Sequence, residues 1–212
     1  MTAQVGDIYK YENRSYTIVA MSNRPYFDPA DFGLEAHASS TACYRGYWCE
    51  YAVVNDTLIL QNLFLHNQDK QYPTFCNIDV SPEEFTEHTV YIHKRTEQRK
   101  VPKYMGHRVY ENVNLQIPYT GKLLLGDDFI QEYYIHMGFQ RAWAYRELIE
   151  LVFEEGLLVE YTNLNHMAQA IRDTINQDGN SRLFPDLTNL PKFIDESFSL
   201  DYAAKAWWLP RG

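Results

Sequence analysis

Short runs of alternating apolar and polar residues, broken by turn formers, dominate this chain. Ile8 to Tyr11 and Tyr16 to Val19 are rich in β-branched and aromatic residues. With Glu12-Asn13-Arg14-Ser15 between them, they predict a β-hairpin. Tyr47 to Val54, the polar pair Asn55-Asp56 and Thr57 to Leu65 predict a second hairpin with a two-residue turn. The stretch Ala142 to Phe153 carries apolar positions that suit a helix or a strand. Gly156 after Glu154-Glu155, and the matching apolar arm Leu157 to Tyr161, decide for a third hairpin. Asp28-Pro29-Ala30-Asp31 and Ser81-Pro82-Glu83-Glu84 each place an N-cap before a proline, which predicts single helical turns. One longer helix follows from Leu164, Ala168, Ile171 and Ile175, capped by Thr162 or Asn163 and stopped by Gly179. Beyond Arg182, Pro185, Pro191 and Pro210 interrupt short apolar clusters that end on Ala206-Trp207-Trp208-Leu209, which predicts short helices packing on the sheet.

These elements predict an α+β fold dominated by antiparallel β-sheet, as a curved sheet or partly open barrel in two related halves with a C-terminal helical segment. The halves are suggested by self-similarity. Tyr44-Arg45 aligns with Tyr145-Arg146, Glu50 with Glu150 and Asn62-Leu63 with Asn163-Leu164, with one extra residue in the turn. The expected organisation is a β-rich half over 1–93, a basic connecting segment over 94–108, a second β-rich half over 109–161 and a helical segment over 162–212. The whole is expected to form one compact unit.

Composition narrows the classes. At 212 residues the chain can bury a core without staples, and no apolar run approaches the length of a membrane helix. The first residues lack the basic and apolar regions of a secretory signal, so the expected location is the cytoplasm. Three cysteines, an odd number, suit a reducing compartment in which they act as small buried apolar groups. A net charge of -9 opposes any surface that coats nucleic acid or anionic lipid.

Two segments carry a resemblance. Gly6-Asp7-Ile8-Tyr9 opens the first hairpin, and Ser40-Thr41-Ala42-Cys43-Tyr44-Arg45-Gly46-Tyr47 precedes the second. Together they resemble a group of small, uncharacterised bacterial proteins with a G-D-x-I/Y-like hairpin and an S-T-A-x-x-R-G-Y segment. Tyr119 to Gly126 and His136-Met137-Gly138-Phe139-Gln140 resemble further segments of that group, and the tail is not covered. The resemblance implies a β-hairpin-rich fold and brings no assigned activity with it.

No familiar catalytic pattern survives inspection. Tyr44-Arg45-Gly46 invites comparison with mono-ADP-ribosyltransferases, but no Ser-Thr-Ser follows it and no Glu-x-Glu occurs downstream. None of the seven histidines has metal-ligand spacing, and His88 and His93 lie an odd number apart on a strand. Thr120-Gly121-Lys122 lacks the upstream glycine of a phosphate loop, and G-x-S-x-G is missing. Asp127-Asp128, Glu83-Glu84 and Glu154-Glu155 read as solvated pairs beside turns. No metal and no cofactor is therefore expected.

Binding residues remain. Arg45 could hold an anionic group or fork onto a carboxylate of its own chain, with Tyr47 and Trp48 beside it. Gly138 could turn the backbone so that His136 and Gln140 act together, and Tyr145 and Arg146 repeat the earlier Tyr-Arg pair. Lys94, Arg95, Arg99, Lys100, Lys103 and Arg108 form the one basic run, which reads as a solvated connecting loop or as a docking patch for an acidic partner. The 17 tyrosines suit cross-strand packing and recognition surfaces alike. The expected function is a non-enzymatic protein-binding module, such as an inhibitor or immunity protein or a subunit of a defence or regulatory complex. The alternative is a sensor or enzyme for an anionic small molecule, with its cleft between the halves. Nucleic acid and membrane are not expected partners.

Overall fold

A computed structural model describes residues 3–23, 27–92, 95–135 and 140–177. Its strands are β1 (Ile8–Tyr11), β2 (Arg14–Met21), β3 (Tyr47–Val54), β4 (Thr57–Leu65), β5 (Phe85–Ile92), β6 (Arg95–Pro102), β7 (Arg108–Tyr110), β8 (Leu115–Gln116), β9 (Gly121–Phe129), β10 (Tyr145–Glu154) and β11 (Leu157–Asn163). The helix α1 spans Asn165–Gln177. The structure is strand-dominated, as the hydrophobic pattern predicts, and the ambiguous stretch after Ala142 forms the hairpin β10–β11.

Seven strands form a barrel in the order β11-β10-β9-β2-β1-β3-β4, and β4 meets β11 again at Thr57 opposite Leu157. Two backbone bonds reinforce that seam, from Leu58 N to Gly156 O at 2.8 Å and from Leu158 N to Asp56 O at 2.7 Å. The sheet is therefore a closed barrel, within the β-rich α+β class that the sequence predicts as a curved sheet or partly open barrel. Gly156 makes the closure possible. Its φ is +83°, and a Cβ there would lie 2.3 Å from Ile117 O. All barrel pairings are antiparallel except β1 with β3. Short strands β7 and β8 extend along β4.

Side chains fill the interior, including Tyr9, Tyr51, Leu60, Leu125, Leu151 and Phe153. A register shift between Ile18 and Ala20 leaves Ile18 with Leu125 inside and puts Ala20 with Leu124 in a second, outer cluster. Helix α1 covers that outer cluster through Leu164, Ala168 and Ile171. Arg172 pins it there, donating from buried Nη1 to Trp143 O at 3.0 Å and Tyr145 O at 2.7 Å. Burial pushes the Arg172 guanidinium below its ordinary pKa. At the helix start, Asn163 Oδ1 accepts from Asn165 N at 3.0 Å. Ile175's side chain, Gly179 and the tail lie outside the described residues.

Local expectations are corrected in places. The first turn is only Glu12-Asn13, both at positive φ, so Arg14 and Ser15 already belong to β2. Asp28 caps a 3-10 turn at Pro29–Phe32, but Ser81 to Glu84 form no helix. Ser81 N donates instead to Val109 O at 2.8 Å, and Ser81 O accepts from Arg108 Nε at 2.9 Å. The basic run is not a connecting loop: Arg95 to Pro102 is strand β6, paired along its whole length with β5. The matched Tyr-Arg pairs sit in unlike surroundings, with Tyr44 exposed in a turn and Tyr145 buried on β10. Cys43 and Cys49 are buried, whereas Cys76 is exposed.

Candidate functional site

Arg45 stands at the entry to β3 and is directed at its own chain. Its Nη2 donates to Asp7 Oδ1 in a short contact, and Nη1 donates to Oδ2 at 3.2 Å. The same Asp7 Oδ1 accepts from Cys49 N at 2.8 Å. Two motifs of the resemblance, Gly6-Asp7 and Arg45-Gly46, thus meet as one polar lock between β1 and β3. Burial opposes the Arg45 charge, but the Asp7 carboxylate more than offsets this and holds its pKa above the ordinary value. The guanidinium also lies over the Tyr47 ring at 4.7 Å. Burial pushes the Tyr47 phenol up to about 12. Gly46, at φ +76°, passes so close to His37 that a Cβ would lie 2.4 Å from its carbonyl oxygen. Trp48 stacks on Phe64 with centroids 3.5 Å apart, and its buried Nε1 has no partner among the described residues.

Sequence reasoning missed the cluster behind that lock. His107 Nδ1 faces Tyr104 O at 2.9 Å and so carries the ring proton. Nε2 then offers its one lone pair to Ser39 Oγ at 3.3 Å or Cys43 Sγ at 3.5 Å, and the Cys43 thiol also faces Tyr47 O at 3.7 Å. Burial lowers the His107 pKa and raises that of the Cys43 thiol. Both groups are thereby held neutral and out of solvent, the opposite of an activated thiolate beside imidazolium. Nearby, ligand atoms of Glu35, His37 and Asp69 lie within 4.8 Å of one another. However, His37 Nδ1 accepts from Gln68 N at 3.2 Å. The neutral ring must carry its proton on Nε2, which leaves no lone pair for a cation unless the Gln68 bond is broken.

A recess of about 370 Å³ opens at the other side of β2, beside Phe129, Tyr134, Gln140 and Tyr145. Among the described residues, its lining holds no charged side chain. Phe129 packs edge-on to Tyr145 at 5.4 Å and to Tyr134 at 6.4 Å. Tyr145 lies flat over Gly126, where an added Cβ would meet its Cγ at 2.5 Å. Burial raises its phenol to about 12. Gln140 spends its amide on Ile135, accepting from N and donating to O, both at 2.8 Å. It therefore shapes the recess without offering it a free amide. His136 lies outside the described residues. Arg146 does not enter the recess; it pairs with Asp128 at 2.9 Å on the exposed surface.

The basic run has a different setting. Among the described residues, β5 and β6 pair with each other and with no other strand, forming an arm eight residues long on each side. Glu87, His88, Thr89 and Thr96 to Lys100 are all exposed. Arg99 sits opposite His88 and Lys100 opposite Glu87, so these two cations occupy opposite faces. Arg95 opens β6, and Lys94 lies outside the described residues. Lys103 and Arg108 belong to the root: Lys103 pairs with Glu84 and lies 4.8 Å from the Tyr104 centroid, while Arg108 is bound to Ser81 O. The root also exposes Phe85 and Met105, each more than half accessible.

Among the described residues, no helix is long and apolar enough to cross a membrane. Set against protein-family models, curated proteins and solved structures, the chain matches none of them.

Proposed function

We propose that this chain is a non-enzymatic protein-binding module in which the barrel is a scaffold and the β5–β6 arm the docking element. The observation that carries the reading is the arm itself: two strands of eight residues each that, among the described residues, pair only with one another, with Glu87 to Thr89 and Thr96 to Lys100 exposed. An isolated two-stranded hairpin is marginally stable in water, and three or more strands or a packed face are needed for firm order. A partner would supply that missing layer. Phe85 and Met105 at the root are of the residue types enriched at interface cores. A role as an inhibitor, or as a subunit of a defence or regulatory complex, fits this arrangement.

The test is site-specific photocrosslinking in the source cells. A photoreactive residue replacing Phe85 is expected to give a discrete protein adduct, and one at exposed Glu154 on the barrel is expected to give none. Absence of any adduct from Phe85, with the protein folded and abundant, would overturn the reading. A second reading rests on the uncharged aromatic recess beside Tyr145, which favours a neutral small ligand over the anionic one expected from Arg45. Native mass spectrometry of protein purified from those cells separates the two, since only the second predicts a small-molecule adduct.

A further inference from the structure

The two edges of the arm are built differently. β6 reads Arg-Thr-Glu-Gln-Arg-Lys-Val-Pro, and charged residues and proline are the devices that keep an exposed edge from pairing. β5 reads Phe-Thr-Glu-His-Thr-Val-Tyr-Ile, with a single carboxylate, no proline and high strand propensity. One edge is guarded and the other is left open to another strand. We infer that the β5 edge is covered by β5 of a second copy of this chain, giving a four-stranded sheet across a twofold axis. This rests on the reading of the arm as a docking element and names its partner.

Two arguments favour a second copy over another occupant. A strand that pairs antiparallel with its own copy satisfies twofold symmetry without a second specialised surface, and such dimers are the commonest oligomers. The charge distribution is also self-complementary. The arm, residues 85–102, carries four cations (Lys94, Arg95, Arg99, Lys100) and two carboxylates (Glu87, Glu97), a net +2. The whole chain is -9, so the remainder stands at -11. A basic arm reaching over an acidic barrel of the partner copy is attracted at both ends of the twofold. Pairing along β5 also brings both roots, with Phe85 and Met105, towards the covered region.

Sedimentation velocity on the full chain tests this over about 1 to about 200 μM, the range in which a modest interface titrates. A concentration-dependent dimer is expected, weaker at about 500 mM than at about 50 mM salt because the charge attraction is screened. The double variant Thr89→Lys/Val90→Lys places cations on the open edge; it loses the Gln98 to Thr89 bond, which Glu97, opposite Val90, offsets by pairing with the new lysine. It should weaken dimerisation by about tenfold or more. Thr96→Lys, on the guarded edge, should leave it unchanged. A second variant, with residues 86–101 replaced by a glycine-serine turn, should be monomeric with an unchanged near-ultraviolet circular dichroism spectrum.

A chain that stays monomeric throughout overturns the inference. So does a Thr89→Lys/Val90→Lys variant that dimerises like the native chain. If the Phe85 crosslink yields a foreign protein while the native chain is monomeric, the second copy is refuted and the docking reading stands. If Phe85 yields no adduct and the chain is monomeric, both fail.

Discussion

Replacing Arg45 with alanine separates a structural lock from a ligand-binding residue. In the native chain Asp7 is 6% exposed and accepts two hydrogen bonds from Arg45 and one from Cys49 N. Arg45→Ala removes the countercharge and two of those three bonds. Stranding one member of a buried ion pair costs about 3 to 5 kcal/mol. The Arg45 side chain is 38% exposed, so water can replace part of what is lost. Discounting for that screening gives about 2 to 3 kcal/mol. For a chain of this size each kcal/mol moves the melting temperature by about 2 to 4 °C, so the fall should be about 4 to 12 °C. Scanning calorimetry measures it. The double variant Asp7→Asn/Arg45→Ala should recover part of the loss, because it removes the uncompensated charge, and the cycle should give a coupling of at least about 1 kcal/mol. A fall under about 2 °C, with additive single effects, would refute the lock and return Arg45 to the binding of an anion.

Other positions test other parts of the structure. The Tyr9 hydroxyl is buried without a partner among the described residues, so Tyr9→Phe should leave stability unchanged or raise it by up to about 1 kcal/mol in urea unfolding; a clear loss would show that the hydroxyl is satisfied. Gly126→Ala should cost about 1 to 3 kcal/mol, since its Cβ would strike the Tyr145 ring; a neutral result would mean that the ring moves aside freely. His107 has its pKa lowered below 6.5 by burial, so the unfolded chain binds the proton first and stability falls as pH drops below about 6.5, by at most about 1.4 kcal/mol per unit from this group. His107→Gln should flatten that slope relative to the native chain between about pH 7.5 and pH 5, and an unchanged slope would assign the effect elsewhere.

What could be read from the sequence was local. Asn55-Asp56, with φ of 48° and 59°, supplies the left-handed pair that a two-residue hairpin turn needs, so β3 and β4 were visible with correct ends. Asp28-Pro29 and the stripe Leu164, Ala168, Ile171 were visible for the same reason. The seam was not, because a single long-range pair, Thr57 with Leu157, decides between an open sheet and a barrel. Ser81-Pro82 carried a sound cap signal that lost to tertiary bonds with Val109 and Arg108. The arm was hidden because periodicity reports burial. Neither face of Thr96-Glu97-Gln98-Arg99-Lys100 is buried, so no alternation marks it as a strand. Arg172 was missed for the converse reason, as a cation expected on the solvated side of a helix but buried against two carbonyls.

The residues that sequence chemistry singled out share one property in the structure. Arg45 is held by Asp7, Gln140 by Ile135, and Arg146 by Asp128. The cluster of His107, Cys43 and Ser39 is likewise closed upon itself. A polar side chain already satisfied within its own chain gains little from a ligand, because binding would first have to break those bonds. The β5–β6 hairpin lies outside the closed ring, and its side-chain pairs, such as Gln98 with Thr89 and Arg99 with Glu97, are exposed and cost little to exchange. The barrel strands must keep their pairing to close the ring, so they can neither bend towards a partner nor offer it an edge. An arm outside the ring is free of that constraint, so on the proposed docking role its substitution would alter binding and leave the folding of the barrel unchanged.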